Sequence, residues 1–336
     1  MYSARRIVLA ARPSGMPTES DFRLEEFAVP QPSDGEFVIE TAYLSVDPYM
    51  RGRMRDRASY AAPTELGETM TGGGVGRVVA SRNARFVEGD WVEGMTGWQT
   101  HVAARGSGFR KLDPSVAPVS TALGVLGMPG LTAYFGLFDV GGARAGETVL
   151  VSGAAGAVGS TVGQLAKIAG CRVVGIAGTD DKVRWLTEEL GFDAAFNYKT
   201  EPDLRARIGA LCPNGVDVYF DNVGGPISDA AMPALALRAR IAVCGQISQY
   251  NSEEGEQCPR HWFHLIIKRA RIEGFLVFDF AARYEEGLAR LTEWVRGGRL
   301  KYREHFEDGI GRIPAAFIGM MQGANTGKML VRVKED

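Results

Sequence analysis

Thr148-Val-Leu-Val-Ser-Gly-Ala-Ala-Gly-Ala-Val-Gly-Ser160 is the stretch that decides the fold of this 336-residue chain. Thr148–Ser152 is mostly β-branched and apolar, which predicts a buried strand. Ser160–Ala169 carries apolar residues at helical spacing. The turn between them, Gly153, Ala155, Gly156, Ala157, Val158 and Gly159 included, has the strand–turn–helix context in which a glycine fingerprint is informative. Gly153 and Gly156 permit a tight turn and close approach of backbone to a pyrophosphate. Gly159 lets helix and strand pack closely, and the helix N-terminus supplies N–H donors and a positive dipole end. A plain small-residue contact between helix and strand is the competing explanation.

Reading outward, strands and helices alternate. Arg172–Ala177, Ala194–Phe196, Val216–Asp221, Arg240–Cys244 and Arg271–Val277 read as strands, making six with the first. Lys182–Leu190, Leu204–Leu211, Ser228–Leu237, His261–Lys268 and Ala282–Arg296 read as helices between and after them. That rhythm predicts an α/β fold with a doubly wound, parallel six-stranded Rossmann sheet. The first third is different. Gly35–Ser45, Gly74–Ser81, Asp90–Glu93 and Trp98–Ala104 are short, glycine-separated segments, which suggests a small β-rich barrel. The N-terminal apolar run reads as a first strand. The tail, Phe317–Val333, starts like a helix and ends in a strand at Met329–Val333. The expected division is residues 1–121 with 302–336 in one domain and 122–301 in the other.

The chain is 45% hydrophobic and 23% charged with a net charge of −2, so nothing gathers nucleic acid or acidic membranes. Pro114–Phe138 and Thr148–Ala166 lack charge, but glycines, prolines and polar residues interrupt them, so neither reads as a membrane span. Cys171, Cys212, Cys244 and Cys258 are irregularly spaced, which suits free thiols in the cytoplasm better than a disulfide framework.

The end of the second strand separates the two nicotinamide dinucleotides. NAD sites usually place a carboxylate there. Here Gly178-Thr179 leaves room, and Lys182 follows where an ammonium can meet a 2′-phosphate. NADP (NADPH) is therefore expected. Asp180 and Asp181 either cap the next helix or include a displaced NAD carboxylate.

Further strings stand out: Ser45-Val-Asp-Pro-Tyr-Met-Arg51, Phe196-Asn-Tyr-Lys199, Phe220-Asp-Asn-Val-Gly-Gly225, Cys244-Gly-Gln-Ile-Ser-Gln-Tyr250 and Gly323-Ala-Asn-Thr-Gly-Lys328. With the glycine turn, they make the chain resemble the leukotriene B4 dehydrogenase/prostaglandin reductase branch of the medium-chain dehydrogenase/reductase superfamily, over nearly its whole length. Curcumin-reductase-like and 2-alkenal-reductase-like members are the most similar in these strings. The resemblance implies a GroES-like first domain completed by the tail, and a homodimer. It implies that Lys182 and Tyr198 lie at the adenosine 2′-phosphate, where Gly178 leaves room for the cofactor. It further implies that Asn222, Cys244, Gly245, Gln246, Ile247, Ser248, Phe275, Leu276, Val277 and Asn325 line the rest of the cofactor site. Tyr250, with Tyr49 beside it, is implied nearest the reacting carbonyl.

Zinc members of the superfamily carry a Cys in the first barrel and a Gly-His-Glu motif. This chain reads LSVDPYMR and LGETMTGGG there, so no metal is expected. Cys258, His261 and His264 are spaced like possible ligands, although a helix carrying both histidines is the simpler account. Without a metal, reduction of a carbon–carbon double bond conjugated to a carbonyl is the expected chemistry, with an enone or enal as small-molecule substrate. The enolate oxygen then needs hydrogen-bond donors, for which Tyr250 and Tyr49 are candidates. Two alternatives stay open: a quinone reductase on the same scaffold, and a non-catalytic cofactor-holding protein. The polar loop Asn251–Arg260 is a candidate cover for substrate.

Overall fold

Apolar runs without alternation need cover on both faces, and the second half of the chain provides it. The computed structural model describes residues 1–57, 59–254 and 258–334. It divides into two compact units, Met1–Gly124 with Glu304–Asp336 and Val125–Arg303.

In the second unit six strands lie parallel, in the order Ala194–Asn197, Arg172–Ala177, Thr148–Val151, Val216–Asp221, Leu235–Val243, Arg271–Gly274. The chain enters at the central strand, runs to one edge, then returns past its start to the other. That reversal opens a crevice at the C-terminal strand ends, where ligands of such sheets bind. Every residue of Thr148–Val151 is buried, as are Val173–Ala177 of its neighbour. The helix Ala157–Ile168 packs Val162, Leu165 and Ala166 inward. Leu150, Val174, Ile176, Tyr219 and Ile241 lie in one apolar cluster with Ile208 and Ile227 from the covering helices.

Several boundaries differ from the sequence pattern. The expected helix Ser228–Leu237 is instead Gly225–Ala231, with Pro226 in its first turn. A short turn at Met232–Ala234 containing Pro233 follows, and the next strand already begins at Leu235. That strand pairs Leu235 with Val216 and then shifts register, with Arg238 at φ 61° in the irregular segment. The bulge hid the strand's first half from a period-based reading. The last strand stops at Gly274, leaving Phe275–Val277 outside it. Finally, Thr179 rather than Asp180 or Asp181 caps the helix after the second strand, its hydroxyl accepting the Lys182 N–H at 3.3 Å.

The first unit is β-rich. Tyr2–Leu9 forms an antiparallel pair with Phe22–Val29, a partner strand the pattern did not reveal. A seven-stranded sheet follows the order Glu304–Asp308, Lys328–Arg332, Phe37–Ser45, Gly74–Ser81, Trp91–Gly94, Arg110–Leu112, with His101–Ala104 also on Phe37–Ser45. The tail strand thus lies against the strand that leads into Val46–Met50, Leu330 opposite Ser45. Among the described residues, no helix is long and apolar enough to cross a membrane.

Candidate functional site

The glycine turn has the geometry its sequence suggests. Gly153 sits at φ 57°, a left-handed conformation that favours glycine. A Cβ on Gly159 would lie 2.4 Å from the Gly153 carbonyl oxygen and 2.8 Å from Ala154 Cα, so a side chain there would push the helix off the strand end. The helix Ala157–Ile168 begins after Gly156 with no side-chain cap. Its leading N–H groups are therefore available to an anion, aided by the dipole of a twelve-residue helix. A pyrophosphate fits this cradle.

One buried carboxylate organises the adjoining strand ends. Asp221 Oδ1 accepts the Ser152 and Tyr219 hydroxyls, each at 2.8 Å, and the N–H groups of Val223 and Gly224, each at 3.0 Å. Its other oxygen accepts the Ser228 hydroxyl. The Asp221 carbonyl receives the Cys244 and Gly245 N–H groups at 2.8 and 3.1 Å. The Ser248 N–H and hydroxyl bond the Val223 carbonyl at 3.1 and 2.6 Å. Asn222 donates its N–H to Ser152 Oγ (2.9 Å) and its side-chain amide to the Ser152 carbonyl (2.7 Å), with its Cβ against Gly153. The structure thus brings together Gly153, Asn222 and the Cys244–Ser248 turn. Sequence reasoning missed Asp221 and Ser152, whose available signal was a polar residue at the end of each buried apolar strand.

Tyr250 is folded back over this turn. Its oxygen accepts the Gln246 N–H at 3.3 Å and lies 3.1 Å from the place a Gly245 side chain would take. A phenol that accepts one bond can still donate its own proton. Burial, with Asp221 nearby, pushes the Cys244 thiol up to about 12, so it stays protonated. Phe275 turns its ring onto Phe220, centroids 6.2 Å apart, and Val277 is buried.

At the end of the second strand both nearby carboxylates are engaged. Asp180 Oδ1 accepts the Asn197 side-chain amide at 2.9 Å, and Asp181 pairs with Arg184. What converges there is positive. Tyr198 Cε1 and Lys199 Cε lie 3.2 and 3.4 Å from the place a Gly178 side chain would take. Burial, and then the Lys199 charge, hold the Lys182 ammonium below the usual lysine range. Lys199 stood in a quoted string without a role; two cations, not one, flank this strand end.

Tyr49 and Asn325 belong to the first unit. Burial and then the Asp47 charge raise the Tyr49 phenol above its ordinary range. The Asn325 amide donates to the Gly327 carbonyl at 2.7 Å, shaping the turn that leads to Lys328. His261 precedes the helix Trp262–Lys268 and faces Asp229, Nε2 to Oδ1 3.2 Å. Among the described residues no group of three or more His, Cys, Asp or Glu side chains is placed to hold a metal. Of the Asn251–Arg260 loop, residues 255–257 lie outside the described residues.

Known proteins share this architecture from end to end. Residues 5–112 match the family described as the N-terminal domain of oxidoreductase, and residues 157–293 the one described as zinc-binding dehydrogenase. The NADPH-dependent curcumin reductase of Escherichia coli (strain K12) is 44% identical over 337 residues, covering 99% of this chain and 97% of that protein. The chain belongs to the zinc-independent branch of the medium-chain dehydrogenase/reductase family. Another family member, the 2-alkenal reductase (NADP(+)-dependent) of Nicotiana tabacum, is 43% identical over 340 residues, 99% of this chain and 98% of that one. A crystal structure of CurA from Vibrio vulnificus in complex with NADPH superposes with a TM-score of 0.94 at 45% identity, covering 99% of this chain and 100% of that one.

Asp221→Ala in this medium-chain reductase should remove about 3–5 kcal/mol of stability, because three hydroxyls and two N–H groups lose a shared buried acceptor. Urea unfolding measures this; a loss below about 1 kcal/mol is what a surface carboxylate would give.

Proposed function

We propose that this chain uses NADPH to reduce the carbon–carbon double bond of α,β-unsaturated ketones and aldehydes. It is an NADPH-dependent oxidoreductase of the family just described. The observation that carries the substrate class is chemical. Two relatives of nearly equal identity are named for curcumin and for 2-alkenals, molecules of very different size. What these share is an alkene conjugated to a carbonyl.

When bound, NADPH supplies the hydride. The chain's own residues then have three tasks. The Ala157–Ile168 N-terminus and the Gly153–Gly159 turn hold the pyrophosphate. Lys182, Tyr198 and Lys199 take the 2′-phosphate, in place of the carboxylate that would take a ribose hydroxyl. Tyr250, held by the Gln246 N–H, donates to the carbonyl oxygen as enolate charge develops, and Tyr49 is the second donor. The raised Tyr49 phenol stays protonated at neutral pH, which a donor requires. Asn222, Cys244–Ser248, Phe275–Val277 and Asn325 complete the cofactor's surroundings.

A homodimer is part of the same proposal. Arg271–Gly274 is an edge strand with every residue exposed, and beside it Trp262, Phe263 and Ile266 are each about 70% exposed. An open strand edge next to an apolar patch suits a second copy of the same sheet. Four cysteines without disulfides favour a cytoplasmic home.

Lys182→Ala should weaken NADPH binding roughly tenfold to a hundredfold and leave NADH nearly untouched, as expected for one charge-assisted phosphate contact. Fluorescence titration with both cofactors checks this; equal losses would mean that Lys182 supports the fold instead. Light scattering at micromolar concentration should give a dimer, and Phe263→Glu should shift it toward monomer. With NADPH deuterated at the transferable position, the label should appear on the carbon β to a surviving carbonyl. Tyr250→Phe should slow turnover about a hundredfold to a thousandfold with NADPH affinity unchanged, and Tyr49→Phe should cost less. Allylic alcohol as main product, or quinones outcompeting enones, would sink the reaction; normal turnover in Tyr250→Phe would remove only Tyr250 from it.

A further inference from the structure

A lysine buried beside a buried carboxylate is costly unless every donor is placed. Lys328 is 4% exposed, and its ammonium has an acceptor for each proton: Asp47 Oδ1 at 3.1 Å, the Val46 carbonyl at 2.8 Å and the Met329 carbonyl at 2.9 Å. Asp47 is 6% exposed, and its second oxygen accepts the Ser45 hydroxyl. The next anion toward Lys328 is Glu304, held by the Ser120 hydroxyl at 2.9 Å. All of this lies within the first unit.

The pair sits where chain direction changes. The strand Phe37–Ser45 ends, the Val46 N–H bonds the Met329 carbonyl at 3.3 Å, and the chain then turns into the short helix Met50–Arg53. The Asp47 carbonyl accepts the Met50 N–H at 3.2 Å, while the Asp47 N–H points at the Met50 sulfur, 3.5 Å away. On the far side Arg51 is fully buried and donates to the Gly15 and Pro13 carbonyls at 2.8 and 3.3 Å. Pro48-Tyr49-Met50 is thus fastened at each end by a buried cation. If stability were the sole requirement, an apolar pair of similar volume would serve as well as Lys328 with Asp47. A charged pair with saturated donors fixes direction as well as position.

We infer that Asp47 and Lys328 are positioning residues for Tyr49, setting the phenol at the orientation from which it donates to the substrate carbonyl. This rests on the reading of Tyr49 as a donor. The Asp47 charge also bears on Tyr49 directly, favouring the protonated phenol that donation needs.

The test is a double-mutant cycle on the full chain, with trans-2-hexenal and NADPH. Asp47→Asn, nearly isosteric, should lower kcat roughly tenfold to a hundredfold, the scale of a reacting group misplaced by about 1 Å. The dissociation constant of NADPH, measured by fluorescence, should stay within about twofold, since the loss is local to the turn. In a Tyr49→Phe background the same substitution should cost almost nothing further in kcat, because the group it positions is gone. Equal fold-losses in both backgrounds overturn the positioning role while leaving Tyr49 a donor. Full activity of Tyr49→Phe alone overturns the donor reading and the inference with it. Should Asp47→Asn not fold, Ser45→Ala enters the same cycle; it keeps the ion pair and frees one carboxylate oxygen, for an expected loss of about threefold that likewise vanishes with Tyr49→Phe.

Discussion

The second unit depends on one buried carboxylate side chain, Asp221, at the end of its central strand pair. Hydroxyls and amides converge on the Asp221 carboxyl in place of water. Through Ser152 it reaches the first strand of the sheet, through its carbonyl the Cys244–Gly245 turn, and through Ser228 the helix Gly225–Ala231. Three strand ends are thereby fixed to one another before any ligand arrives. A crevice built this way meets a cofactor with donors already aimed, so little reorganisation accompanies binding.

The two ends of the proposed site use electrostatics in opposite ways. At the adenosine end, charges of the same sign are gathered, and burial, followed by the Lys199 charge, disfavours protonation of Lys182. The groups proposed for the reacting end are phenols. Burial discourages ionisation of Tyr49, and the bond from the Gln246 N–H orients the Tyr250 oxygen. Charge serves to anchor, while neutral donors are suited to a charge that appears and vanishes during turnover.

What the sequence made legible follows from the range of the interactions involved. The parallel sheet was legible because periodicity and the Gly153–Gly159 turn are local signals. The cations at the second strand end were half legible. Lys182 follows Gly178 closely, whereas Lys199 reaches the same place from the neighbouring strand, which spacing does not reveal. The hairpin partner Phe22–Val29 was hidden by its charged, exposed face. The early start of Leu235–Val243 was masked by a bulge and by two prolines whose helical and turn roles are alike in sequence. Asp221 and Lys328 stood in the motifs without a role because buried charge declares itself through partners distant in sequence. Lys328 meets Val46 and Asp47 across the whole length of the chain.

The position of the lysine pair has a wider meaning. On the proposed reading, selection between the two nicotinamide pools resides in the strand end at Gly178 and the segments that flank it. The phenols proposed to donate to the substrate carbonyl stand on other turns. That proposal makes selectivity for the reductant and reactivity toward the acceptor separable traits. A lineage that exchanged its lysines for a carboxylate would draw electrons from the catabolic pool rather than the biosynthetic one, with the machinery for the acceptor left intact. Duplicated copies of such a chain have two independent axes along which to diverge.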